Sequence, residues 1–214
     1  EHVTALPQES HENCKADFIV EGGDWPMKVY KIITGADWPE ARLIPQIDRG
    51  LTRWWLYAYK NGNFKYLPGT YIMSAIDCWH AKCDFCAWAP YHKQYRLRPV
   101  NEVLAEIEML IEAGMKEIFD DSGTLPVGDW LHELCKGIIE RGYNDYVAFS
   151  ANMRFGALKD NDFVLLARAG FRMLLWGFES ANQETLDYLH KGYKVKDVMH
   201  DLILARAAGL NSHL

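Results

Sequence analysis

No stretch of the sequence approaches the roughly 18 to 20 consecutive apolar residues that a membrane-spanning helix needs, so no transmembrane segment and no membrane partner are expected. Glu1-His2-Val3-Thr4 lacks both an initiating Met and a basic region followed by an apolar one. It is not a secretory leader, and it reads as the continuation of a longer protein. An excess of basic charge is also missing. Against 29 Asp and Glu stand 23 Lys and Arg, a formal charge of -6 with a pI near 5.7, the opposite of the cationic surface used for nonspecific nucleic-acid binding. Nothing in the residues points to a nucleic-acid partner. Cysteine is scarce and odd in number, five in all. Without a leader that count argues against a disulfide framework, and we expect a reduced, cytoplasmic protein. The eight histidines are scattered and form no pair with metal-ligand spacing.

What is present is a substantial core and one concentrated motif. At 214 residues and 49% hydrophobic content the chain can bury one or two cores. The motif is Cys78-Trp79-His80-Ala81-Lys82-Cys83-Asp84-Phe85-Cys86, three cysteines directly after the apolar run Thr70-Tyr71-Ile72-Met73. Soft thiolates select zinc, copper(I) or iron-sulfur clusters. A structural zinc site wants four protein ligands, whereas an iron-sulfur cube on three cysteines leaves one iron open to another molecule. Only Cys83 and Cys86 have ordinary zinc spacing, so a zinc knuckle would have to recruit His80 or His92.

From residue 70 onward strand and helix patterns alternate. Strands are expected over 71–75, 117–119, 146–149 and 172–176. Helices are expected from Pro99, where Val103, Ile107, Leu110 and Ile111 recur at helical spacing, to Gly114; over 130–139; over 163–169, capped by Asp160 or Asn161; and over about 195–208. Such alternation implies a parallel sheet with right-handed crossovers, an α/β fold. A fifth strand should begin where the chain stops, leaving an exposed edge. Residues 35–69 carry Trp38, Trp54, Trp55, Tyr57, Tyr59, Phe64 and Tyr66 without a sustained period. They read as an aromatic-rich linker packed onto that sheet. Cys135, among Leu131, Leu134 and Ile138, reads as buried and apolar, and Cys14 as structural.

The cysteine motif, with Phe85 just before its third member, resembles the signature of the radical S-adenosylmethionine (radical SAM) superfamily. The family's usual gap between the first two cysteines is three residues, and here it is four. The resemblance implies a partial parallel TIM-like (β/α) barrel over residues 70–214, truncated at about four strand-helix units. It also implies a 4Fe-4S cluster on Cys78, Cys83 and Cys86, with S-adenosyl-L-methionine on its open iron. Reacting groups in parallel barrels gather after the strands' C-terminal ends, and there the sequence holds Asp120-Asp121-Ser122, Ser150-Ala151-Asn152-Met153-Arg154 and Gly177-Phe178-Glu179-Ser180. The acidic pair stands where the family carries glycine-glycine-glutamate, and Glu179 fits its glycine-x-glutamate-serine pattern. The expected cofactor contacts are therefore Phe85 near adenine, Asp120 and Asp121 on the amine, Arg154 as a fork on the carboxylate, and Asn152 beside it. Glu179 would take the ribose or the amine. No residue of this chain is expected to be a catalytic group itself.

Residues 1–34, with "HVTALP" and "DFIVEGGDWP", resemble the end of the Rossmann-like, cobalamin-binding α/β domain that precedes the barrel in one branch of the family. The resemblance implies an enzyme that cleaves S-adenosylmethionine to a 5'-deoxyadenosyl radical and takes hydrogen from an unidentified substrate. Methyl transfer with cobalamin is the favoured reaction of the full-length protein, and flavodoxin or ferredoxin serves as electron donor. The competing reading is a non-catalytic zinc or iron-sulfur binding module.

Overall fold

A computed structural model describes residues 18–20, 25–37, 49–87 and 95–214. Of the two N-terminal stretches that resemble the end of a Rossmann-like domain, the first lies outside these residues and the second is described only at 18–20, which join no strand, and from Trp25 on. Cys14 and His92 also lie outside them. Helix α1 spans Trp25–Thr34.

Among the described residues five strands form one all-parallel sheet: β1 Gly69–Ile72, β4 Glu117–Asp120, β5 Ala148–Met153, β6 Phe171–Trp176 and β7 Asn211–His213, in that spatial order. The short β2 Ala75–Ile76 and β3 Arg96–Leu97 pair antiparallel beside it. Helices α2 Val100–Glu112, α3 Asp129–Glu140, α4 Asp160–Arg168, α5 Gln183–Tyr188 and α6 Val195–Ala207 connect the strands. Strand order follows chain order, as strand-helix repetition requires. All four residues of β4 are buried, because a parallel sheet covered by helices has no wet face. The α2, α3 and α4 helices turn one apolar stripe each toward it, through Val103, Leu104, Ile107 and Leu110 on α2, Leu131, Leu134 and Ile138 on α3, and Phe163 and Leu166 on α4.

Several expected boundaries shift. The strand read over 71–75 is two pieces, β1 and β2, separated by Met73 and Ser74. The third strand does not stop at Phe149 but runs through Ser150, Ala151 and Asn152 to Met153, with Ser150, Ala151 and Met153 buried between β4 and β6. The cap of α4 comes from Asp162, whose carboxylate accepts the Lys159 N–H at 2.8 Å, rather than from Asp160 or Asn161. The fifth strand does begin within the chain. Asn211–His213 pairs with Met173, Leu174 and Leu175, and all three of its residues are exposed. In the linker, Phe64 is buried and Trp54 packs on the core, but Trp55, Tyr57, Tyr59 and Tyr66 stay largely exposed. The aromatic content there exceeded what the sheet could cover. Cys135 is fully buried, and burial pushes its thiol up to about 12. No helix among the described residues is long and apolar enough to cross a membrane.

Candidate metal and cofactor site

The four described cysteines are free thiols. Cys78, Cys83 and Cys86 follow β2 and line one cavity of about 320 Å³ at the C-terminal end of the sheet, a volume at the lower end of small-molecule sites. The loops after β4, β5 and β6 reach the same cavity with Asp121, Arg154 and Glu179, and Asn152 reaches it from β5 itself. Phe85 lines it with its ring half-exposed. Eight of the nine residues expected from the sequence therefore meet in one place.

Asp120 is the ninth, and it does not. Its Oδ1 accepts the Ser122 N–H at 3.0 Å, the Ser122 hydroxyl at 2.6 Å and the Ser74 N–H at 3.4 Å. The side chain is buried, and burial raises its carboxyl above the ordinary value against those hydrogen bonds. Asp120 shapes the loop that presents its neighbour. Burial also lifts Asp121, opposed by the Asn152 amide, which donates to Asp121 Oδ1 and to the Ser122 carbonyl, each at 3.1 Å. The loop can close this far because residue 123 is Gly. A β-carbon there would stand 2.8 Å from Cys78 Cβ.

Arg154 spends a fork on protein rather than holding it open. Its Nε and Nη2 donate to the Lys191 carbonyl at 2.9 and 2.7 Å, and the guanidinium lies 5.7 Å from the Trp79 ring centre. Burial lowers its pKa. Glu179 is paired as well, its Oε1 taking the Lys191 ammonium at 3.1 Å.

Lys191 was not legible as a site residue. It is only 7% exposed, lines the cavity, and carries its charge 5.6 Å from the Phe85 ring centre. Burial pushes the Cys83 thiol up, and Lys191 pulls it back toward thiolate. The cavity also touches Trp176, which stacks on Phe155 at 4.5 Å between ring centres. Trp79 anchors the cysteine loop by donating Nε1–H to the Leu125 carbonyl at 3.1 Å.

Thiols, carboxylates and cations on one rim provide donors for soft metal, for an ammonium and for a carboxylate. Among the described residues no three His, Cys, Asp or Glu side chains converge so as to hold a single metal ion. A zinc ion sits about 2.3 Å from each sulfur and gathers thiolates tightly. A multi-iron cube gives each thiolate its own iron, so its ligands need not converge on one point.

Comparison with known proteins gives the family and the fold. An anaerobic magnesium-protoporphyrin IX monomethyl ester cyclase of Cereibacter sphaeroides is 27% identical over 188 residues, 84% of this chain and 30% of that protein. The chain thus spans about a third of that relative's length. In fold it resembles the radical S-adenosylmethionine methyltransferase TsrM from Kitasatospora setae (TM-score 0.61, 19% identity, 67% of this chain and 29% of that one). It also resembles the cobalamin-dependent S-adenosylmethionine radical enzyme OxsB (TM-score 0.58, 20% identity, 66% and 23%). Residues 76–214, well over half of the chain, match the family described as the radical SAM superfamily. With the cysteine loop, the parallel sheet and the cavity at its C-terminal end, this match establishes that the chain belongs to the radical SAM superfamily, whose cofactors are a 4Fe-4S cluster and S-adenosylmethionine.

Proposed function

We propose that Cys78, Cys83 and Cys86 hold the 4Fe-4S cluster and that the cavity beside them receives S-adenosylmethionine. The observation that carries this reading is the shared cavity, which the three thiols line together with Asp121, Asn152, Arg154 and Glu179. When bound, the cluster and S-adenosylmethionine supply a one-electron cleavage of a carbon-sulfur bond that yields methionine and a 5'-deoxyadenosyl radical able to take hydrogen from a substrate.

The chain's own residues bind, orient and exclude water. Asp121 and Glu179 accept hydrogen bonds from the methionine amine or the ribose, Lys191 and Arg154 hold positive charge toward the carboxylate, and Phe85 covers the adenine. Trp176, backed by Phe155, gives the cavity an apolar wall, and less water beside it strengthens each polar contact there. The electron comes from a small reductant such as flavodoxin or ferredoxin, in the cytoplasm where thiols stay reduced.

In the whole protein, residues 1–34 would end a cobalamin-binding domain and 35–69 would link it to the barrel. Methyl transfer to carbon is then the favoured reaction, in line with the fold likeness to the methyltransferase TsrM, and cobalamin with the likeness to OxsB. One observation favours a second reading, ring closure on the substrate: similarity to the cyclase runs over 84% of this chain.

The test is iron and sulfide analysis after anaerobic reconstitution, followed by dithionite reduction with S-adenosylmethionine. About four irons with matching sulfide, and release of 5'-deoxyadenosine by the chain or its full-length parent, are expected. Stoichiometric zinc without sulfide would overturn the cluster assignment.

A further inference from the structure

The first gap of the cysteine motif is one residue longer than the family's usual three, and the loop that carries it leans on a neighbouring turn. Ala81 takes a left-handed φ of 44°. Beside it His80 reaches out of the loop, its Nε2 2.9 Å from the His190 carbonyl. Asp84 N–H donates to the Leu189 carbonyl at 3.3 Å, and its carboxylate meets His190 Nδ1 at 2.8 Å. The Lys191 carbonyl takes the Arg154 fork. Three successive carbonyls of one turn, between α5 and α6, thus accept from three side- or main-chain donors of the site, two of them on the cysteine loop.

That turn is itself held in an uncommon shape. His190 has φ 52° and Gly192 φ 69°, the left-handed region in which glycine carries no penalty. A β-carbon at Gly192 would lie 2.7 Å from Arg154 Nη2 and 2.9 Å from His80 Cε1, so both loops close around the absence of a side chain. The Asp84–His190 pair is more than half exposed on both sides and contributes little by itself. The carbonyl contacts and the space at Gly192 carry the arrangement.

We infer that residues 189–192 are a brace for the cysteine loop, with His80 and Gly192 as positioning residues that set how Cys78, Cys83 and Cys86 stand relative to one another. This rests on the reading of those cysteines as cluster ligands. Groups that orient metal ligands from behind typically matter about 10- to 100-fold to metal affinity.

The test uses the chain reconstituted anaerobically, with three readouts: the rate at which iron passes to an external chelator, the electron paramagnetic resonance spectrum of the reduced cluster, and the thermal midpoint of the apo chain. Gly192→Ala should load iron and sulfide but release iron about tenfold faster, with an altered spectrum, and its apo midpoint should fall because a β-carbon is strained at φ 69°; His80→Ala, which carries no such backbone strain, should keep the parent's apo midpoint. In iron release His80→Ala should lie between Gly192→Ala and the parent, and His80→Gln, which keeps an N–H for the His190 carbonyl, should return to the parent rate. Parent-like release and spectrum in both Gly192→Ala and His80→Ala would overturn the brace, as would faster release in His80→Ala matched by a lowered apo midpoint. A parent chain that takes up no sulfide would instead locate the fault in the ligand reading beneath it.

Discussion

Glu117 and Asp121 stand at opposite ends of the same strand, and their surroundings differ in kind. Glu117 opens β4 fully buried. Its carboxylate accepts from the Lys65 and Tyr66 N–H groups at 2.9 and 3.1 Å, from the Ser150 hydroxyl at 3.0 Å and from Arg172 Nε at 2.8 Å. Arg172 can reach it because strand pairing skips that residue, a bulge between Phe149/Phe171 and Ser150/Met173. Asp121, just past the strand's other end, has a single amide partner on one oxygen and looks onto a cavity. At the first end the polar groups satisfy one another and tie the linker to the sheet. At the second they retain hydrogen-bonding capacity that a ligand entering the cavity can use.

The contrast can be broken by deleting groups at either end. The largest effect belongs to the thiols. Cys78→Ala, Cys83→Ala or Cys86→Ala should each reduce retained iron to near zero while the fold stays intact, whereas Cys135→Ala should keep its iron; iron retained in Cys83→Ala would mean that the ligand set is wrong. At the other end Glu117→Ala should destabilise the chain by about 3 kcal/mol, since it strands a partly buried guanidinium and three further donors, with little change in iron bound per folded molecule. Denaturant midpoints and metal analysis on the same samples would expose any crossing of these two effects.

Glu179→Gln sharpens the picture inside the site. Loss of a charge-assisted hydrogen bond, about 1.5 to 3 kcal/mol, should weaken S-adenosylmethionine binding at least tenfold without loss of iron, measured by ligand titration of the cluster-loaded chain. The smallest effect concerns pH. Burial raises Asp121 in the folded chain, so its contribution to stability is fully present below the ordinary carboxylate value near 4 and fades as pH rises through the folded value. Asp121→Asn should flatten that part of a stability-pH profile, and an unchanged profile would mean that the carboxyl is effectively in water.

The helices and strands from residue 100 onward were legible because one covered sheet imposes regular apolar spacing, as Val103, Ile107 and Leu110 show. The site was legible where chemistry concentrates in a short motif, as at the cysteines, or follows a strand directly, as at Asp121, Arg154 and Glu179. It was not legible for Asp120, whose neighbour in sequence faces the cavity while it turns inward to Ser74 and Ser122. Nor was it for Lys191 or Gly192, or for His80 in any role but a zinc ligand, since their partners lie up to 110 residues away.

By itself the amino-acid order determined the strand-helix repetition, the trio of thiols and the candidates after each strand, since these follow from local periodicity and ligand chemistry. Tertiary structure alone decided which polar groups are spent on the protein and which remain for a ligand. The Arg154 fork closed on a carbonyl, the Glu179–Lys191 pair formed, and a turn came to rest against the cysteine loop. Hydrogen-bond satisfaction is a property of the whole packed molecule, and no window of sequence contains both ends of those bonds.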